Sequence, residues 1–471
     1  MIARFHRPLT LAIVLGAALS GCAVGPDYQR PANPLPADFG KDAASAQSER
    51  KAVDQRWWTL FNDSTLNQLV DVALRNNSDL RQALARVEQA AAVAREADAA
   101  FLPQIDGQAG ISNSQASTLS PTYSSAMPRV RHSRTAGLST SYELDLWGRV
   151  RRADEVARAT LLTSEYSRDA IRLSVAGAVS NAYLNLRALD AQLAVSRDTL
   201  SSREASLALI KRRQAAGLSG PLEVHQAEAA LAASQAQLSE QTRLRAVQES
   251  QLALLTAQPG LTLAAADLRQ LPLPPLPPAG LPADLIEARP DIRQAEATLI
   301  GTNASIGLAK AGYFPKFTLT GSVGSESRTL SDLFLPGSGT WAGGLGLLMP
   351  ILDWGRTTAR VDQAKALNQQ SLIAWENALQ TAYKEVRDAL VNVRENSSAE
   401  AAQQSREESS QKALEIARQR HAAGSIGYLD VLDAQRTLND AQLARISTRQ
   451  ARLVAAVDLF KALGGGWQGE K

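Results

Sequence analysis

A single cysteine, Cys22, stands in a chain of 471 residues, which excludes an internal disulfide framework and any site built from several thiolates. Histidine is equally scarce. His6, His132, His225 and His421 are scattered, with no two at metal-site spacing. No phosphate-cradling loop is present, and Gly344-Leu345-Gly346 lacks the third glycine of a dinucleotide loop and lies within a strand pattern. The sequence therefore predicts no enzyme, no metal site and no cofactor other than a covalent lipid on Cys22. Aromatic residues make up only 5%, a composition that suits long helices better than large globular cores. The formal net charge is +3 and falls to about +1 if Arg4 and Arg7 leave with a leader, so charge gives no case for nucleic acid. The apolar run Leu9 to Leu19 is too short for a permanent membrane helix.

That run follows Arg4 and Arg7 and gives way to small residues, the layout of a removable leader spanning residues 1–21. Leu19-Ser20-Gly21-Cys22 resembles a bacterial lipoprotein box, in which the leader is cut before the cysteine and the sulfur carries a diacylglycerol. The competing reading is a buried cysteine in a membrane helix. Several acyl chains, palmitate among them, at about 0.8 kcal/mol per CH₂, anchor stably where one does not. Ala23 after the cysteine resembles an outer-membrane address. Residues 22–56 are then the anchor and an extended tether, rich in proline from Gly25 to Pro36.

The remainder is said twice. Asp79-Leu80-Arg81-Gln82-Ala83 returns as Asp291-Ile292-Arg293-Gln294-Ala295, and Phe101-Leu102-Pro103 as Tyr313-Phe314-Pro315, both 212 residues later. Asp145-Leu146-Trp147-Gly148-Arg149 matches Leu352-Asp353-Trp354-Gly355-Arg356 at an offset of 207, as Ala215-Ala216-Gly217 matches Ala422-Ala423-Gly424. The first hairpin is thus five residues longer, whereas Trp147 to Gly217 and Trp354 to Gly424 both span 70. Loops tolerate length changes and packed rods do not.

Between these landmarks the hydropathy period is two. Ile105, Gly107, Ala109 and Ile111 alternate with polar residues or Gly; so do Leu138, Thr140, Tyr142, Leu144 and Leu146; so do Phe317, Leu319, Gly321 and Val323, then Trp341, Gly343, Leu345, Leu347 and Met349. Strands of about ten residues with one apolar face have the length of tilted transmembrane β-strands. A soluble sandwich edge is the alternative. Trp147, Tyr313, Trp341 and Trp354 at strand ends fit an interfacial aromatic girdle. The loops Gln115 to Arg134 and Glu326 to Thr340 would face the exterior. Four strands cannot close a barrel, and an open edge in hydrocarbon leaves backbone groups unsatisfied. Two chains would give eight strands, filled by side chains; three would give twelve, wide enough to enclose a passage.

Stripes at spacings of three and four run from Ile171 through Val175, Ala178, Ala182, Leu186, Leu189 and Leu193 to Ile210, and from Val361 through Ala364, Leu372, Trp375, Leu379, Ala382, Val386 and Ala389 to Val393. They predict side-by-side helices of roughly 65 residues, about 100 Å long. An ordinary coiled coil would explain the stripes but not the strands feeding them. The expected organisation is a first repeat over 57–257, with a helix, a hairpin at about 104–147, a long helix at about 148–216 and a returning helix. A Pro-rich equatorial linker occupies 258–283. A second repeat covers 284–463, with its hairpin at about 316–350 and long helix at about 355–423, and 464–471 form a tail. Linker, Trp57-Trp58 segment and C-terminus are expected to meet in a belt.

The lipobox followed by Cys22-Ala23-Val24-Gly25-Pro26-Asp27-Tyr28, the Trp-Gly-Arg hairpin exits, the duplication, and Leu429-Asp430-Val431-Leu432-Asp433-Ala434-Gln435 resemble the TolC/OprM-type outer membrane factors, in particular the OprM/NodT-like lipoprotein branch serving RND efflux systems. The resemblance covers the whole mature chain. It implies a mainly α fold with transmembrane β, a homotrimer with a 12-stranded outer-membrane β-barrel and a periplasmic α-helical coiled-coil barrel. It implies as partners a periplasmic adaptor protein, an inner-membrane RND-type pump and outer-membrane lipid; no nucleic acid is expected, on the charge given above. The turns Gly217, Leu218, Ser219 and Gly424, Ser425, Ile426 become candidate adaptor-docking tips. Asp430 and Asp433 become candidates for the periplasmic aperture, where a trimer would present six carboxylates. Like charges about 6 Å apart repel by roughly 1 to 3 kcal/mol, which favours opening and cation binding. The first-repeat equivalents are Glu223 and Gln226. His421 departs from the family, standing where TolC has a tyrosine that helps hold the aperture shut. The expected function is a passive exit duct for small molecules such as drugs in a tripartite efflux pump. The alternatives are a type I protein-secretion conduit and a non-conducting, lipid-anchored periplasmic coiled-coil tether.

Overall fold

The structure, a computed structural model, describes residues 23–467 apart from 37, 40–54, 122, 125, 127 and 278–284; Cys22 and the leader lie outside the described residues. The chain forms two compact units, one gathering residues up to 31, 87–163 and 295–375, the other 32–86, 164–294 and 376–471.

In chain order, a 3-10 turn at Trp57–Phe61 precedes α1 (Ser64–Asn76), α2 (Ser78–Ala99), β1 (Gln104–Gln115), β2 (Val130–Leu144), α3 (Arg149–Ala215) and α4 (Pro221–Leu255). A single helical turn, Leu285–Ala288, leads to α5 (Pro290–Ala311), β3 (Lys316–Ser327), β4 (Gly339–Leu348), α6 (Arg356–Ala422) and α7 (Tyr428–Ala462). The duplication is visible residue for residue: α2 and α5 have 22 residues, α3 and α6 have 67, α4 and α7 have 35. β2 has 15 residues against 10 in β4, and the loop from Gln115 to Val130 is longer than that from Ser327 to Gly339, so the first hairpin is longer in both strand and loop.

Local chemistry sets the boundaries. Asp63 caps α1 by accepting from the Leu66 N–H at 2.9 Å, and Asn77 accepts from Asp79 and Leu80 to start α2 while its amide donates to the Leu255 carbonyl. The expected helix from Leu285 to Gly312 is interrupted at Arg289, because Pro290 has no N–H to continue it. Leu146 and Met349 fall beyond the ladders. Asp145 accepts from the N–H groups of Val150 and Arg151, turning the chain into α3, and Pro350 follows Met349. The first exterior loop is shorter than expected, since Val130 to Arg134 pair with β1.

The strands form one antiparallel meander, β1-β2-β3-β4, so the two repeats join at β2 and β3. Register sorts the side chains into two faces. On one lie successive rows: Leu144/Phe317/Leu347, Tyr142/Leu319/Leu345, Ile105/Thr140/Gly321/Gly343, Gly107/Leu138/Val323/Trp341, Ala109/Ala136/Ser325/Gly339, then Ile111/Arg134/Ser327 and Asn113/His132. The other face carries mainly Gln, Asp, Ser, Thr, Glu and Gly, with Arg131, Lys316, Ala342 and Leu348. Ile105, Leu138, Leu319, Val323, Trp341, Leu345 and Leu347 are all exposed. An apolar face this large is a membrane or partner surface. Among the described residues both edges, β1 and β4, lack a neighbouring strand.

In the second unit Trp57, Trp58 and Phe61 pack with α1 and with Val175, Tyr183, Leu184, Leu186, Leu453 and Phe460 of α3 and α7. Ala178, within the expected stripe, is exposed, because the α3 core here is centred on Val175, Val179 and Tyr183. No helix among the described residues is long and apolar enough to cross a membrane.

Candidate functional site

Where strands hand over to long helices, three girdle candidates collect. Trp147 stacks on Phe314 at 4.8 Å and donates its indole N–H to the Pro315 carbonyl at 2.8 Å. The Tyr313 hydroxyl bonds Thr358, and Trp354 is 88% exposed. Trp341 is not with them. It sits three rows nearer the loops, so the four aromatics mark two levels of the sheet. Phe314 belongs to the first level and is missed by a reading of single strand ends; its signal is the pattern of an aromatic, a large apolar residue and Pro that recurs as Phe101-Leu102-Pro103 and Tyr313-Phe314-Pro315.

The described part of the Pro-rich segment forms neither helix nor strand, and it is no free tether. The Val24 N–H donates to the Trp147 carbonyl at 3.0 Å, and Asn303 donates to the Pro26 carbonyl at 2.9 Å. Asp27 takes Arg152 at 2.6 Å, and Arg30 grips Glu296 through two bonds of 2.6 and 2.9 Å. Arg152 and Glu296 are buried, so the strap supplies partners to charges that would otherwise be costly. Burial, with the Glu296 carboxylate beside it, pushes the Tyr28 phenol up to about 12, keeping it a donor to Glu296 at 3.1 Å. Gly25, at φ +112°, lies so close to Gly307 that a Cβ would fall 2.4 Å from the Gly307 Cα.

The tip candidates form two exposed turns. Gly217 and Gly424 take φ of +78° and +74° and end α3 and α6; Leu218 is 68% exposed, while Ser219 and Ile426 are half-buried. Asp430 and Asp433 are exposed on the first turns of α7. Asp430 also accepts from the Gly427 N–H at 3.1 Å and thus caps α7, and Asp433 pairs with Arg436 at 3.2 Å. His421 lies 5.8 Å, ring to ring, from Tyr428. The sequence reading missed Tyr428, which is buried among Ile210, Val224, Leu414, Val431 and Leu438. It also missed buried Arg203, which donates to Gln435. Burial holds the Arg203 guanidinium below its ordinary value, and neighbouring Arg418 adds to this. These contacts fasten α3 to α7 within one chain. Their only sequence signal is polarity inside an apolar stripe.

The belt comes together as expected. Trp57 stacks on Phe460 at 5.5 Å, the Trp467 indole donates to Asp169, and Arg289 donates to the Ala462 carbonyl. The described part of the linker is clasped by ions. Asp190 accepts from Arg187 (2.9 Å), Arg245 (2.7 Å) and the Ala266 N–H (3.2 Å). Arg187 and Arg245 in turn donate to the carbonyls of Ala264 and Leu263. Burial and the Asp63 carboxylate push Tyr183 up to about 12, so it remains a donor to Asp63 at 2.6 Å. Among the described residues no group of His, Cys, Asp and Glu could hold a metal ion.

An amphipathic four-stranded sheet with open edges, feeding duplicated 67-residue helices, defines the class of outer-membrane channels whose wall is shared between chains. Residues 69–258 and 281–465 match the family described as Outer membrane efflux protein, and the chain belongs to that family. It is 38% identical over 469 residues to outer membrane protein OprJ of Pseudomonas aeruginosa, covering 97% of this chain and 95% of that one. It is 34% identical over 467 residues to the cation efflux system protein CusC of Escherichia coli, covering 97% and 98%. The crystal structure of the Campylobacter jejuni CmeC outer membrane channel superposes with a TM-score of 0.89 at 28% identity, over 96% of both chains. The protein is an outer-membrane efflux channel component with the fold of these channels.

Proposed function

We propose that three copies close into a passive exit duct, handed small molecules by an inner-membrane RND-type pump through a periplasmic adaptor. The observation that carries this reading is the pair of open edges on a sheet with one apolar face. In hydrocarbon each unpaired backbone group costs several kcal/mol, and pairing β4 of one copy with β1 of the next removes both edges at once. Three copies make twelve strands, enough to enclose a passage along the polar face. Asp430 and Asp433 line its periplasmic aperture in this reading, and the turns at Gly217 to Ser219 and Gly424 to Ile426 receive the adaptor. Relatives named for toluene and for cations support a conduit that leaves cargo choice to its pump. A lipid on Cys22 completes the anchor. The strap supports this, since it pins Val24 beside Trp147, at the border of the apolar face. Mass measurement on protein purified from outer membranes in mild detergent tests the proposal. The expected result is a denatured chain lacking residues 1–21 and carrying acyl chains, and a native particle of three copies. An unacylated monomer overturns it.

A further inference from the structure

We infer that the outward face of the sheet carries a binding site for the phosphomonoester of an acylated glycolipid, with Arg134 and Asn113 taking the phosphate and the hollow around Gly321 and Gly343 taking an acyl chain.

Two independent features of the apolar face lead there. The first is a charge where the face otherwise ends. Arg134 shares a row with Ile111 and Ser327, directly beyond the small-residue row Ala109/Ala136/Ser325/Gly339, and so projects on the apolar side. One nitrogen, Nη1, makes all its protein hydrogen bonds, to the Ser112 and Ser133 carbonyls and to Asn113 Oδ1 at 3.0 Å. Asn113 Oδ1 also meets His132 Nδ1 at 2.9 Å, which turns the Asn113 amide nitrogen away from both. Arg134 Nε and Nη2 and Asn113 Nδ2 are therefore donors without an acceptor among the described residues. The neighbouring carboxylate, Glu326, is engaged by Ser133 on the opposite face. A planar guanidinium with two free N–H groups matches phosphate oxygens.

The second feature is a groove of about 880 Å³ on the same face, floored by Gly321 and Gly343 and walled by Ile105, Leu138, Leu319 and Val323. From Arg134 to Thr140 the strand advances six residues, roughly 20 Å at about 3.4 Å each, close to the length of a saturated acyl chain. Between head site and groove lie the small side chains of Ala136 and Ser325 and then Leu138 and Val323, apolar wall residues along which an acyl chain would run. The loop-side leaflet of an outer membrane is built from phosphorylated, saturated glycolipid, so charge and groove fit one molecule.

The inference rests on the membrane placement of the sheet, and the test separates the two. The assembled protein is placed in nanodiscs of phosphatidylethanolamine with or without diphosphorylated lipid A, released, and weighed by native mass spectrometry. Lipid A is expected to remain bound, to drop about tenfold in occupancy ratio with Arg134→Gln, and to drop similarly when dephosphorylated lipid A replaces it. Gly343→Leu, whose added Cβ would meet nothing nearer than the Thr320 carbonyl oxygen at 4.0 Å, is expected to weaken binding with the head site intact. Arg131→Gln, on the opposite face of the same strand, should leave binding unchanged. Equal retention by Arg134→Gln, equal binding of the dephosphorylated lipid, or displacement by inorganic phosphate overturns the lipid site. Phosphatidylethanolamine carried by every variant reports the membrane placement separately.

Discussion

Replacing Asp190 by alanine is expected to destabilise the helical unit by about 3–5 kcal/mol, the cost of leaving buried charge uncompensated. Asp190 is 6% exposed and is shared by Arg187, itself buried, Arg245 and the Ala266 N–H. Its removal leaves buried Arg187 without a carboxylate among the described residues, leaves Arg245 with Glu249 alone, and frees the Ala266 N–H of the linker. Ser447→Ala serves as a control, since among the described residues exposed Ser447 is bonded only to the Leu443 carbonyl one turn back and surface changes of this kind stay within about 0.5 kcal/mol. Thermal unfolding in detergent reads the difference. Equal midpoints for Asp190→Ala and the control would show that the ion clasp contributes nothing.

Filling the seat of the strap is expected to have the second large effect. In Gly307→Val even the Cβ would meet the Val24 carbonyl oxygen at 2.6 Å and Arg152 Nε at 2.9 Å, backbone on one side and a buried guanidinium on the other. Strap and helix cannot both keep their places. Arg152 and Glu296 then lose their partners Asp27 and Arg30, and the Val24 N–H loses the Trp147 carbonyl. Hydrogen exchange at Val24 should accelerate at least tenfold, with little change at Leu453, fully buried in the other unit. Unchanged exchange at Val24 would mean that the strap is held elsewhere.

Much of this architecture was legible because its signals are periodic and doubled. The alternation through Ile105 to Ile111 and Phe317 to Val323 is a property of single strands, and the register places those residues on one face. The equal spans from Trp147 to Gly217 and Trp354 to Gly424 announced helices of equal length. Less legible was whatever depends on side chains meeting across distant segments. Nothing near Asp27 or Arg30 names Arg152 or Glu296 as a partner, and Gly307 reads as a weak point in α5 until Gly25 is laid against it. Asp190 and Arg245 look like solvent-facing residues of two helices, because the linker that covers them lies elsewhere in the chain. At the candidate aperture, Asp430 and Asp433 were chosen by resemblance. The capping bond from Gly427 gives Asp430 a local role that sequence spacing also suggests, and burial of Tyr428 beside His421 was hidden because an aromatic after a turn glycine has no periodic signature.

Single-channel recording in planar bilayers tests the exit duct most directly, comparing the wild-type assembly with Asp430→Ala combined with Asp433→Ala. The expected result is discrete conductance steps from both, with block by divalent cations on the aperture side strong in the wild type and weakened in the variant, where six carboxylates are gone. Silence from both assemblies, at protein densities that insert fully, would contradict a passage along the polar face and leave only a membrane-anchored helical rod.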